Sequence, residues 1–397
     1  MNKYTNIHIH SLSSSTQQDE YLLSYNGIYY AANYSIVELL EELQQSATLE
    51  EAIKSYINRK KGRYTPVQVK QIIDKYITPF FATHKRDNST FLYKKELFPA
   101  TTIDQFSNTL SFLFNNIYIW SVIVLAFILD CCFFFSINDL LALDYKVSIY
   151  TIIGLFLFML TSSFFHELGH ASACKHFGIK HGGIGFGLYL NFPVLYTDVT
   201  EVWKLDRKKR CIVNIAGIYF QSFCLIGLLI GFFWTGNGML RYMILIMNLG
   251  FLMTLNPFFK FDGYWVASDI LGVPNLRARS TELISYLYKC IRKQPVFTKP
   301  YLLQIRTTEK IGLAIYSIVV NLFMGYYFLF IIPTFIYNFV HSFPEEVEQL
   351  IMYLSNNITP PFALIRNIGL EVLFFGLMVY FLTKTLHPIV KRCLNHA

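Results

Sequence analysis

His166-Glu167-Leu168-Gly169-His170 is the segment of this chain whose residue types and spacing could do chemistry. Two histidines four residues apart on a helix lie within about 40° of each other, so both imidazoles can hold one ion, and Zn2+ suits that nitrogen pair. Glu167 is the neighbour of a ligand and not a ligand itself. From there it can take a proton from a water that the metal has acidified and later give it to a leaving amine, the chemistry of peptide-bond hydrolysis.

A metal held for hydrolysis needs a third protein ligand and one open position. His176 lies where extended zinc-protease motifs carry a third histidine, but the glycine needed to turn the chain is replaced by Ala173. On a continuing helix His176 points away from His170. Asp262 is the better candidate: Asn256-Pro257 ends an apolar run, and Phe258 to Gly263 reads as a short non-helical stretch in which Gly263 permits a bend. Asp198 and Glu201 are further carboxylates that could serve.

The elements that must position these groups are membrane spans. Of 397 residues, 53% are hydrophobic and 15% charged, and from about residue 109 the apolar residues gather into long runs. Runs of about 20 residues match the hydrocarbon thickness of a bilayer. Six spans are expected, at 112–136, 147–170, 211–234, 239–256, 312–338 and 366–387, which puts the HELGH segment at the end of the second. With a cytoplasmic N-terminus the inner segments after it hold 19 Lys and Arg, against Lys146, Arg241 and Arg366 outside. That asymmetry follows the positive-inside rule, so both termini are expected in the cytoplasm of a multi-pass cell-membrane protein, with Glu345, Glu346 and Glu348 in an outer loop. Seven cysteines without a CxxC pair suggest neither a disulfide framework nor a thiolate site. The polar N-terminus does not read as a signal peptide. Asp130 and Glu371 fall near outer span ends, and Asn214, Gln221 and Asn248 read as helix-joining polar residues.

The HELGH segment, the later Asn256, Pro257, Asp262, Gly263 and Tyr264, and the intervening Tyr196-Thr197-Asp198-Val199 and Ala216-Gly217 resemble the site-2 protease family of intramembrane metalloproteases, and within it the bacterial peptide zinc metalloprotease branch. The likeness covers roughly residues 100–390. It implies zinc held by His166, His170 and Asp262, with Glu167 as general base. The Gly-Pro usual in the third span is Gly217-Ile218 here.

Ile184 to Phe192 alternates apolar residues with Gly185, Gly187, Tyr189 and Asn191, the period of a strand. This strand, with Leu188 at its centre, is expected to pair with an extended substrate, and Asn256 is a second candidate substrate contact.

The chain therefore reads as a polytopic α-helical membrane protein with a small winged-helix-like α+β domain at residues 1–84, a polar linker at 85–108 and the membrane domain at 109–397. In the N-terminal domain a hairpin is expected from Tyr21–Tyr25 and Ile28–Ala32 around Asn26-Gly27. Three helices follow, begun by Ser35, by a Thr48 and Glu51 capping box, and by Thr65-Pro66, the last with Val69, Ile72, Ile73 and Ile77 on one face. Residues 1–108 carry 12 Lys and Arg against 11 Asp and Glu, which lacks the basic face that nucleic acid needs. The hairpin-then-three-helices order resembles the PqqD-like leader-peptide recognition domains over about residues 20–82. That resemblance implies peptide binding beside Tyr21 to Tyr25 and the helix from Pro66. The expected function is zinc endopeptidase processing of a small ribosomally made peptide at the bilayer, with a peptide-modifying enzyme and an exporter as further partners. Regulated cleavage of a signalling protein, or non-catalytic peptide export or immunity, are the alternatives.

Overall fold

The computed structural model describes residues 3–12, 14, 20–81, 93–137, 149–189, 192–295 and 300–394. In chain order it forms β1 (His8–Leu12), β2 (Glu20–Tyr25), β3 (Ile28–Asn33), α1 (Tyr34–Gln45), α2 (Leu49–Arg59), α3 (Pro66–Ile72), β4 (Tyr93–Phe98), α4 (Ala100–Leu110), α5 (Asn116–Ser136) and α6 (Ile149–His176). There follow β5 (Ile184–Tyr189), β6 (Phe192–Thr197), α7 (Arg207–Thr235), α8 (Gly238–Thr254), α9 (Asp262–Leu271), α10 (Leu276–Ile291), α11 (Thr307–Tyr326), α12 (Ile332–Ser355) and α13 (Phe362–Leu394). Two compact units emerge, one drawn from residues 1–87, 98–184 and 197–317 and the other from 88–97, 185–196 and 318–397.

This is the architecture of a polytopic helical membrane protein with a small N-terminal domain. Among the described residues five helices are long and apolar enough to cross a bilayer: Asn116–Ser136, Ile152–His176, Arg207–Thr235, Thr307–Ser355 and Ala363–Tyr380. In the apolar 18-residue stretch of each, only 11% to 39% is buried by protein, so most of that surface is left for lipid. Three expectations are corrected. The run at 239–256 becomes α8, which ends at Thr254; its 17 residues span about 25 Å, at the lower limit of length for a crossing. Thr307–Ser355 is helical throughout, with a π turn at Tyr327–Ile331, so Glu345, Glu346 and Glu348 lie on α12 and not in a loop. The second run does not stop at His170: α6 continues to His176, which places the HELGH segment inside a helix and not at its end. The small Ala171, Ala173 and buried Cys174 carry that extension into the core. Residues 147 and 148 of the expected span lie outside the described residues.

In the N-terminal domain the Asn26-Gly27 turn forms as expected, both residues having positive φ (47° and 77°), and Tyr25 pairs with Ile28. Thr65 accepts from the Gln68 amide while Gln68 accepts from the Thr65 amide, a complete capping box before Pro66. Val69, Ile73 and Ile77 are buried, although the helix loosens into a π turn from Ile73. Two details differ. Asn33, not Ser35, caps α1 by accepting from the Ile36 amide, because β3 runs directly into the helix. Thr48 caps α2 through the Glu51 amide, but Glu51 reaches back to Ala47, one residue short of closing the box.

The expected hairpin also gains a strand. β1 pairs antiparallel with β2, so the order is β1-β2-β3 with β2 in the middle. The segment expected as a linker is ordered in its described part: residues 93–98 form β4 and 100–108 lie in α4, where Ile103 joins the core around α6 and α7.

Thr65→Ala removes one half of the α3 capping box, a loss of about 1 kcal/mol. Hydrogen exchange on the full chain should show the amides at the start of α3 opening about fivefold faster, with α1 unchanged; equal rates would mean that the cap does not hold the helix.

Candidate metal centre

α6 and α7 pack closely, and the site is built where they meet. On α7 the residues Arg210, Asn214, Gly217 and Gln221 follow one another at helical spacing along one face. Gly217 lies against the His166 ring: a Cβ there would stand 2.3 Å from the nearest ring carbon. Beyond it Gln221 accepts from His166 Nδ1 at 3.1 Å and is itself held by donating to Ser162 Oγ at 2.9 Å. His170 Nδ1 donates to the Val213 carbonyl at 2.7 Å.

These contacts fix the tautomers. With each Nδ1 proton given to an oxygen, both Nε2 atoms are left as lone-pair donors, and they face each other at 3.1 Å. Asp262 Oδ2 lies 2.9 Å from His166 Nε2 and 3.3 Å from His170 Nε2. That oxygen is buried and has no hydrogen-bond donor. Three potential ligand atoms, all within 4.8 Å of one another, thus converge. Such an arrangement is costly unless a cation lies at its centre, and a His/His/carboxylate set with ring nitrogens anchored from behind suits zinc.

Asp262 arrives by a route that the sequence misdescribes. It opens α9 in place of lying in an extended stretch, and Gly263 serves close approach more than bending. A Cβ on Gly263 would come within 2.0 Å of the Leu255 carbonyl, so only glycine lets α9 start against the end of α8. Glu167 is buried on α6, near enough to interact electrostatically with His170, and its carbonyl accepts from the Thr197 hydroxyl at 3.2 Å.

The competing ligands are used elsewhere. His176 meets the Ser111 carbonyl at 3.2 Å through Nδ1, Asp198 accepts from the Thr200 amide, and Glu201 pairs with Lys204 at 3.0 Å. Asn256 spends its side-chain oxygen on the Phe258 amide at 2.8 Å, fixing the turn that leads to Asp262. Asn248 donates to Asp130 at 2.9 Å and joins α8 to α5, the helix-joining role expected of such residues.

Leu188 lies on β5, and the sheet order β4-β5-β6 makes β5 the central strand, so its two edges are occupied. An extended substrate cannot add there; among the described residues β4 and β6 are the outer strands. Leu190 and Asn191 lie outside the described residues. The same correction applies to Tyr21 and Tyr25: β2 is central, and their rings pack on the domain core, Tyr25 against Phe81 with ring centres 5.2 Å apart.

Over 218 residues the chain is 25% identical to a Bacillus subtilis (strain 168) protein named "Putative peptide zinc metalloprotease protein YydH", a match that covers 54% of this chain and 77% of that protein. No protein-family profile matches the chain. No solved structure matches it either.

A second constellation does not compete. Ser107 Oγ lies 3.0 Å and Asp104 Oδ1 3.3 Å from His181 Nε2, which resembles a nucleophile with its base. Serine and aspartate meet the same ring nitrogen, however, and the Ser107 and His181 side chains are buried, so no substrate reaches the hydroxyl. The group ties α4 to the chain beyond α6, helped by Lys175 and Asp104 at 2.7 Å.

Gln221 joins α7 to α6, the role expected of it, and its position one turn beyond Gly217 on the same face of α7 is what puts it behind His166. Gln221→Ala frees the His166 ring, and Gly217→Ala pushes it aside. Each should lower zinc affinity about 10–100-fold in chelator competition; unaltered affinity would show that α7 does not orient the ligand.

Proposed function

We propose that this chain is a zinc metalloendopeptidase of the site-2 protease type, which cleaves a small ribosomally made peptide or a membrane-associated precursor. The observation that carries the reading is the convergence of His166 Nε2, His170 Nε2 and Asp262 Oδ2 on one point, with Glu167 buried beside it. The similarity to a protein named as a peptide zinc metalloprotease supports the same chemistry.

Zinc in this site would supply the Lewis acidity that makes water a nucleophile near neutral pH. The residues of the chain do the rest. Gln221 and the Val213 carbonyl keep both imidazoles turned inward. Asp262 adds the negative charge that favours a divalent cation. Glu167 takes the proton of the attacking water and returns it to the departing amine, the one step for which a carboxylate next to the ligands is suited. The excess of Lys and Arg in the segments after the second, fourth and sixth expected spans supports cytoplasmic termini in a cell membrane.

We further propose that the N-terminal domain captures the substrate, as its resemblance to PqqD-like domains implies. A peptide adding beside the hairpin finds one side filled by β1, so the place for it is the outer edge of β3. A tethered second site of this kind raises the local substrate concentration at the metal.

Glu167→Gln should abolish cleavage with zinc content unchanged, whereas Asp262→Ala should lower both; cleavage by Glu167→Gln at the parental rate would remove the proposed chemistry. For the capture step, adding precursor peptide should slow hydrogen exchange at alternate amides of Ile28–Asn33. Protection confined to β2, or none in the domain, would exclude addition at β3.

A further inference from the structure

The same face of α7 that orients the histidines also grips α9. Asp262 and Asp269 are seven residues apart, two helical turns, so they share one side of α9 with about 10 Å between them. Asp262 goes to the metal centre, and Asp269 goes to α7. Arg210 Nε donates to Asp269 Oδ1 at 2.6 Å and Asn214 Nδ2 donates to Asp269 Oδ2 at 2.8 Å, so both oxygens are satisfied from two successive turns of one helix. The pair is sealed, with Arg210 3% and Asp269 5% exposed.

The surroundings fix its geometry. Arg210 also donates to the Leu205 carbonyl at 3.1 Å, and its guanidinium lies 5.1 Å from the Trp203 ring centre. Arg207 donates to the Asp269 carbonyl at 2.8 Å and also to that of Ile270, filling carbonyls at the end of α9. A buried ion pair returns little net stability, since desolvation cancels most of its attraction. What it does return is register: α9 cannot slide or turn on α7 without leaving a charge unpaired, and Asp262 is carried by that helix.

We propose that Asp269, held by Arg210 and Asn214, is a positioning residue that sets where Asp262 Oδ2 stands relative to His166 and His170. α7 is then the common ruler of the site, holding His166 through Gln221, His170 through the Val213 carbonyl and the helix of the carboxylate through Arg210 and Asn214. The inference rests on the metal-centre reading and assigns a role to residues outside the ligand set.

The test is a double-mutant cycle on the full chain in detergent, read as zinc affinity by chelator competition. Asp269→Asn, which keeps the shape and removes the charge, should weaken zinc binding about tenfold or more. Placed on Asp262→Ala, where no carboxylate remains to be positioned, the same change should add nothing, and the missing effect is the coupling between the two sites. Asn214→Ala, which removes only one hydrogen bond and leaves the ion pair, should give a smaller loss that likewise vanishes on Asp262→Ala, and it serves if Asp269→Asn does not fold. An equal loss in both backgrounds, or no loss in either, overturns the positioning role while leaving the metal centre intact. A parental chain that takes up no zinc, or an Asp262→Ala chain that binds it as well as the parent, overturns the metal-centre reading and this one with it.

Discussion

Two imidazole nitrogens and a carboxylate oxygen held within 4.8 Å of one another are the constraint around which the first compact unit is organised. Left alone, such a group would be expelled or protonated, because lone pairs facing each other away from water are unfavourable. The protein keeps them together by binding each from behind. The two Nδ1 protons go to the Gln221 side chain and the Val213 carbonyl, both on α7, and the carboxylate rides on a helix that α7 also grips.

That arrangement explains the small residues near the site. Gly217 leaves room for the His166 ring and Gly263 for the Leu255 carbonyl; in both places the limit is backbone approach and not chain flexibility. Gly169, Ala171 and Ala216 keep α6 and α7 close over the same stretch, where Phe220 also packs against Gly169. Polar residues that would be costly in lipid are thereby spent in pairs between helices: Ser162 with Gln221, Asn214 with Asp269, Asn248 with Asp130.

The two small sheets follow a common pattern. Each has three strands, and in each the strand picked out by its alternation or its turn is the middle one. A central strand has both rows of backbone groups engaged, so recognition by strand addition is restricted to the outer members. For the N-terminal domain this moves the surface for an added peptide from Tyr21 to Tyr25 onto β3.

The sequence alone determined which residues could hold and use a metal, because a four-residue histidine spacing is a property of one helix and needs no partner. It also located the apolar runs that become the long helices, though not where each helix ends, and the Asn26-Gly27 hairpin, since hydrophobic length and positive-φ turns are local. Long-range pairing was beyond it. Nothing local to His8–Leu12 or Tyr93–Phe98 says which strand each will join, so the sheet edges were misread. Asp262 could be ranked above Asp198, Glu201 and His176 but not brought to the histidines until α9 was seen to start against α8. Gln221 reads as a helix-joining residue without showing that a metal ligand is what it holds, and Arg210 and Asp269 carry no local signal, because their roles come from the helix that each one faces; only the tertiary structure decides which lone pair meets which proton.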